Sequence, residues 1–123
     1  MPTELELLQK MHSLTEPGEL AGGAVVAGNV YRKFVIGLDD GNLAAKIEGL
    51  NLLTDIEKLA ANFAERIQFE GLPKGALSYK ALIDLKGPDW NQIMNAANRL
   101  ADAYSSFRGR TEGKAGNGNS DRA

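Results

Sequence analysis

The chain has 123 residues, a length that suits one domain with one hydrophobic core. Charged residues make up 24% of it, and the net charge of −2 provides no overall basic field to attract nucleic acid or acidic lipid. The chain has no cysteine, which excludes disulfides, thiolate metal sites and a cysteine nucleophile. No apolar run approaches the ~18 residues of a membrane span, and the acidic start does not resemble a signal peptide, so we expect a cytoplasmic protein that binds no membrane.

The first predicted element is a short helix over about residues 3–14. Thr3 and Glu6 match a capping box, in which each residue satisfies a backbone N–H of the other. Leu5, Leu8 and Met11 then recur at helical spacing. The pattern therefore predicts an amphipathic helix at the start of the chain.

Residues 18–28 are rich in glycine, a composition that can indicate a phosphate-binding loop. Neither the P-loop pattern nor the dinucleotide fingerprint is present, and the segment contains no lysine or arginine. We interpret it instead as a loop that leads into a strand over residues 23–27. Gly28 and Asn29 would form the turn into the next strand.

The segment from Val30 to Leu50 is predicted to form a β-hairpin around a two-residue turn at Asp40 and Gly41. A helix from Asn42 onward is the alternative, because the apolar residues there also fit helical spacing. In the hairpin, one face of the sheet would be apolar and covered by helices. Its predicted buried residues are Val25, Phe34, Ile36, Leu38, Ala45 and Ile47.

The second half of the chain is predicted to contain two helices and one strand. Thr54 and Glu57 form a second capping box, which begins a helix over about residues 55–68. Apolar and polar residues alternate over 76–85, which is typical of a half-buried strand. Pro88 opens the last helix, which runs to about Phe107.

Together these elements predict an α+β fold in the order α-β-β-β-α-β-α. It would be an antiparallel sheet of three to four strands with amphipathic helices packed mainly on one face. Residues 1–108 would form a single domain. Residues 109–123 contain no apolar side chain large enough to build a core, so we expect a disordered tail.

Few residues suggest catalysis or metal binding. His12 is the only histidine, and no partner that would orient it can be identified from the sequence. Asp39 and Asp40 are explained by turn propensity, and the EF-hand spacing is absent. We therefore predict no catalytic residues, no metal and no cofactor, and a protein that is not an enzyme.

The second face of the predicted sheet is mixed, because apolar and charged side chains alternate there. Its predicted members are Tyr31, Lys33, Val35, Lys46, Glu48 and Leu50. Mixed apolar patches of this kind often mark protein interfaces. We therefore predict that this face binds a protein partner and that the chain self-associates, most simply as a dimer.

Two other functions remain open. The basic end of the chain could contact nucleic acid through Arg99, Arg108, Arg110 and Lys114, although acidic residues dilute its charge. A small molecule could also bind between the sheet and the helices.

The predicted order of the first ~68 residues, α-β-β-β-α, resembles that of double-stranded RNA-binding domains. Those domains carry a lysine cluster at the start of their second helix, where this chain has Asp55 and Glu57 with only Lys58. The acids would repel phosphate, so RNA binding is not favoured. A small acidic α/β protein with an open sheet face is also similar to secretion and assembly chaperones. The leading hypothesis is an adaptor, inhibitor or assembly chaperone.

Overall fold

The computed structural model describes residues 3–111, with side chains described through residue 107. Within that range the fold is α+β, as predicted, with a three-stranded antiparallel sheet in the order β1-β2-β3. The elements in chain order are α1 (Glu4–His12), β1 (Thr15–Val26), β2 (Asn29–Gly37), α2 (Gly41–Gly49), α3 (Asp55–Arg66), β3 (Ile67–Phe69), α4 (Tyr79–Ile83) and α5 (Gly87–Thr111).

The two capping boxes form as predicted. In α1 the Glu6 N–H donates to the Thr3 hydroxyl at 3.1 Å, and the Thr3 N–H donates to the Glu6 carboxylate at 2.8 Å. In α3 the corresponding distances between Thr54 and Glu57 are 3.2 and 3.0 Å. The start of each helix thus follows from a local exchange of two hydrogen bonds. The last helix, α5, continues three residues into the predicted tail, and the rest of that tail lies outside the described residues.

The predicted hairpin between Val30 and Leu50 is wrong in its second half. The alternative, a helix from about Asn42 onward, is formed there. Asp40 is the N-cap of α2, and its carboxylate accepts the N–H of Leu43 at 3.0 Å. Aspartate is favoured at a helix N-cap as well as before glycine in a two-residue turn. Ile47 is buried and helix α2 packs beside α3, so burial of this side chain decides between the two. The α-β-β-β-α order is therefore not formed.

The predicted strand over residues 76–85 is also wrong, and no fourth strand occurs in residues 3–111. Residues Tyr79–Ile83 form the short helix α4. Leu82, the residue that interrupted the polar side of the alternating pattern, is fully buried, and Leu85 is buried three positions later. Leu85 follows the C-cap of α4, so within the helix the buried position is Leu82, which the alternating pattern had placed on the polar side.

The β1–β2 hairpin forms, with its turn one residue earlier than predicted. Ala27 and Gly28 are the central residues, and their φ angles of 51° and 83° are both positive, as a type I′ turn requires. Val25 therefore pairs with Val30 and is 59% exposed, which corrects its predicted burial.

A bulge interrupts β1 between Glu19 and Ala24. Glu19 pairs with Lys33 and Ala24 with Tyr31, so that four residues of β1 lie opposite Arg32 alone. The bulge presents three consecutive backbone N–H groups that have no partner on β2.

The carboxylate of Asp89, in the first turn of α5, accepts all three of these N–H groups. Ala21 donates at 2.7 Å, Gly22 at 3.2 and 3.1 Å to the two oxygens, and Gly23 at 3.1 Å. Burial acts to raise the pKa of Asp89, but these hydrogen bonds and the charge of Arg32 together hold that pKa below its ordinary value. Asp89 is thus a buried carboxylate that joins the last helix to the bulge.

The hydrophobic core lies between one face of the sheet and helices α3, α4 and α5. We call this the inner face. Phe34 and Ile36 of β2 are buried there, as predicted, and the Phe34 ring meets that of Phe69 edge-on at 5.7 Å. From the helices, Phe63 and Ile93 complete the contact. Helix α2 packs against α3 and α1 against α5, so the described helices leave the opposite face of the sheet open.

Candidate functional site

The open side of the sheet, which we call the outer face, is an exposed surface formed by the three strands. It consists of the outward-pointing residues of the three strands: Thr15, Pro17, Glu19, Val25, Val30, Lys33, Val35 and Gln68. Val25, Val30 and Val35 are 59%, 55% and 40% exposed. Exposed valines on a sheet surface are a feature of many protein interfaces.

The strand register arranges these residues in rows. Pro17, Val35 and Gln68 lie side by side across the three strands. Glu19 lies directly opposite Lys33 in the next row, so the centre of the outer face carries one negative and one positive charge. The face is therefore electrically neutral and partly apolar.

Only part of the predicted protein-binding set lies on this face. Lys33 and Val35 do, as the alternation along β2 indicated. Tyr31 is half-buried and packs against the core, with its ring 6.4 Å from that of Phe69. Its partner across the strands, Ala24, is buried on the inner face, so the bulge has turned Tyr31 away from the outer face.

The other three predicted residues lie on or beside α2 and not in the sheet. Lys46 forms an ion pair with Glu65 at 3.0 Å, and Glu48 forms one with Lys58 at 3.7 Å. Both pairs link α2 to α3, and they replace the predicted pairing of Glu48 with Lys33. Leu50, at the C-cap of α2, is 48% exposed.

Of the predicted nucleic-acid-binding set, the structure describes only the side chain of Arg99. Its guanidinium donates to the Glu16 carboxylate at 2.8 Å and to a β1 carbonyl at 3.0 Å. Arg108 and Arg110 lie on the helical backbone of α5, but their side chains and all of Lys114 are outside the described part.

The sequence pattern missed several residues of the outer face. Pro17 lies before the predicted strands, but in the structure it belongs to the edge strand β1, where the missing N–H of proline is tolerated. Glu19 falls in the glycine-rich segment that was predicted to be a loop, but it also lies in β1. Val25 and Val30 could not be found from the alternation along β2, because the bulge reverses the faces between Lys33 and Tyr31.

His12, Asp39 and Asp40 line one cleft beside the C-terminal half of α5. The His12 ring lies nearly parallel to that of Tyr104, with the ring centroids 6.3 Å apart, and the Asp40 carboxylate caps α2. Within residues 3–111 no group of three acidic or histidine side chains is arranged to hold a metal ion.

A second cleft, of about 450 Å³, lies between α2, α3 and α5 and contains Arg66. The Arg66 Nε donates to the Gly37 carbonyl at 2.9 Å, and Nη1 donates to the Asn62 side chain at 3.0 Å. Burial lowers the pKa of Arg66, and the charge of Asp39 partly opposes that change. The guanidinium also lies 5.6 Å from the centre of the Phe63 ring. A cation is thus held in a fixed position at the edge of an apolar cleft.

Comparisons with protein-family models, with curated proteins and with solved structures found no match to this chain. None of the helices in residues 3–111 is long and apolar enough to cross a membrane. The fold and the surface therefore define the molecule only as an α+β protein with one open sheet face.

Proposed function

We propose that this protein acts by binding another protein chain through the outer face, and that its first partner is a second copy of itself. The observation that carries the proposal is the one-sided packing of the sheet. Helices α3, α4 and α5 cover the inner face, while Val25, Val30 and Val35 stay exposed on the outer one. Covering these valines would remove apolar surface from water, which is the main driving force of association.

The charges of the outer face favour a second copy over an unrelated partner. Glu19 and Lys33 lie side by side, and a twofold axis through the face would place Glu19 of one copy over Lys33 of the other. Such a surface is complementary to itself, and it would fix the orientation of the two copies. An adaptor, inhibitor or chaperone function would then use the dimer.

The first experiment measures the oligomeric state of Val35→Glu by multi-angle light scattering. The glutamate would place an unpaired carboxylate where the second copy excludes water, so we expect the association to weaken by about ten-fold or more. Leu53→Glu is the matched control, since Leu53 is 92% exposed in the loop after α2, away from the sheet. Circular dichroism checks that both variants are folded.

The second experiment reverses the central charges one at a time. Glu19→Lys and Lys33→Glu should each weaken self-association, because like charges would then meet across the twofold axis. A mixture of the two variants should form a heterodimer that neither forms alone. A wild-type chain that stays monomeric at high concentration would contradict the proposal. So would a Val35→Glu variant that associates as strongly as Leu53→Glu.

A further inference from the structure

The cleft between α2, α3 and α5 combines apolar walls with a fixed cation, a combination that the outer face lacks. Its walls are largely apolar, and Leu59 and Met94 face it while remaining 36% and 40% exposed. Polar and charged side chains also line it, among them Arg66 and Asn62, which are hydrogen-bonded to each other. Apolar walls with a few fixed polar groups in a volume of about 450 Å³ are typical of sites for small molecules.

Arg66 has hydrogen-bonding capacity that its neighbours do not use. Its Nε and Nη1 each have a protein acceptor, but Nη2 has none among residues 3–111, and the guanidinium forms no ion pair there. The contacts to Gly37, Asn62 and Phe63 fix the plane of the group. A planar, immobilised guanidinium with free N–H groups matches the geometry of a carboxylate.

The other charged residues that line the cleft are Asp39, Glu48 and Lys58, and among residues 3–111 no carboxylate forms an ion pair with Arg66. Lys58 is already paired with Glu48 at 3.7 Å. Asp39 acts on Arg66 through its charge without forming an ion pair. Arg66 is therefore a half-buried cation without an ion-pair partner among the described residues, and a bound carboxylate would supply that partner.

We propose that this cleft binds a small carboxylic acid with an apolar tail, its carboxylate on the free N–H groups of Arg66 and its tail along Leu59 and Met94. The site lies on helices and faces away from the strands of the outer face, so it does not depend on the proposed self-association. The guanidinium of Arg66 would select an anion, and the apolar walls would select a ligand with an aliphatic tail over a small inorganic ion.

The test uses sodium octanoate as the probe, titrated into ¹⁵N-labelled protein and followed by amide chemical shifts. We expect saturable shifts at residues around Leu59, Arg66 and Met94. Octylamine, which has the same tail and the opposite charge, should not bind. Inorganic phosphate should not bind either, because it has no tail to fill the apolar wall. Shifts on the outer face, or equal binding of octanoate and octylamine, would overturn the proposal.

Two variants make the assignment specific. Arg66→Gln should weaken octanoate binding at least about ten-fold, since a charge-assisted hydrogen bond is lost. Arg99→Gln is the matched control, because Arg99 is an exposed arginine whose carboxylate partner lies outside the cleft. Arg66→Gln also removes a contact to Gly37, so Met94→Glu provides a second variant at a 40%-exposed position. The new carboxylate should repel octanoate. Unchanged octanoate binding by Met94→Glu would show that the cleft is not the site. Arg66→Gln that binds octanoate as tightly as Arg99→Gln would show the same.

Discussion

Replacement of Asp89 by asparagine should destabilise the protein by about 2–4 kcal/mol at pH 7. Asp89 is 5% exposed and accepts three backbone N–H groups of the β1 bulge at 2.7–3.2 Å. Hydrogen bonds to a charged acceptor contribute roughly 1.5–3 kcal/mol each, but these three share one carboxylate whose burial itself costs free energy. Asparagine keeps one oxygen and turns an NH₂ group toward a backbone donor, so at least one N–H loses its acceptor.

The pH dependence provides a sharper test than the magnitude. The pKa of Asp89 in the folded protein lies below its ordinary value, which is about 3.9 in an unfolded chain. The stabilisation is therefore fully present above about pH 4–5 and is lost as the pH falls through the folded-state pKa. The difference in unfolding free energy between wild type and Asp89→Asn should accordingly narrow in acid.

The assay is urea unfolding followed by circular dichroism at pH 7 and at pH 3. Asp102→Asn is the matched control, because Asp102 lies on the same helix with an exposed side chain. An Asp89→Asn variant as stable as Asp102→Asn at pH 7 would refute the reasoning. A loss of stability that stays the same at both pH values would show that the charge of Asp89 is not the cause.

The same unfolding assay tests the core and the bulge. Phe34→Ala should cost about 3–5 kcal/mol, because the ring is buried against another phenylalanine. Val35→Ala, at the exposed neighbouring position, should lower the free energy of unfolding by less than about 1 kcal/mol. If Val35→Ala lost as much stability as Phe34→Ala, the outer face would have to be covered. Gly23→Ala should cost more than Gly28→Ala, although both glycines have positive φ. An added Cβ at Gly23 would come within 2.6 Å of Val30, whereas at Gly28 it meets nothing within 4 Å, so equal costs would contradict the packing of the bulge.

Helices whose signals are local could be predicted from the sequence. The capping box of Thr54 and Glu57 requires only residues three positions apart, and the regular apolar spacing of α3 requires only a single helix. The alternation along β2 likewise identified Phe34 and Ile36 as buried and Val35 as open. These features survive in the structure because the interactions that specify them lie within one element.

Where the local sequence was compatible with two secondary structures, tertiary packing determined which one formed. Asp40 before glycine suits a hairpin turn and a helix N-cap equally, and the contact of α2 with α3, which buries Ile47, selects the helix. The bulge of β1 has no signal within its own residues beyond glycine. It exists because Asp89, more than sixty positions later, supplies acceptors for its N–H groups.

The membership of the outer face was decided in the same way. Alternation assigns a residue to one of two faces, but which strands adjoin depends on pairing between distant segments. The sequence therefore identified Lys33 and Val35, while the partners beside them, Pro17, Glu19 and Gln68, followed only from the register of β1 and β3. The physical reason for the division is range: caps and periodicity act within a few residues, whereas strand neighbours and buried partners are set by the whole fold.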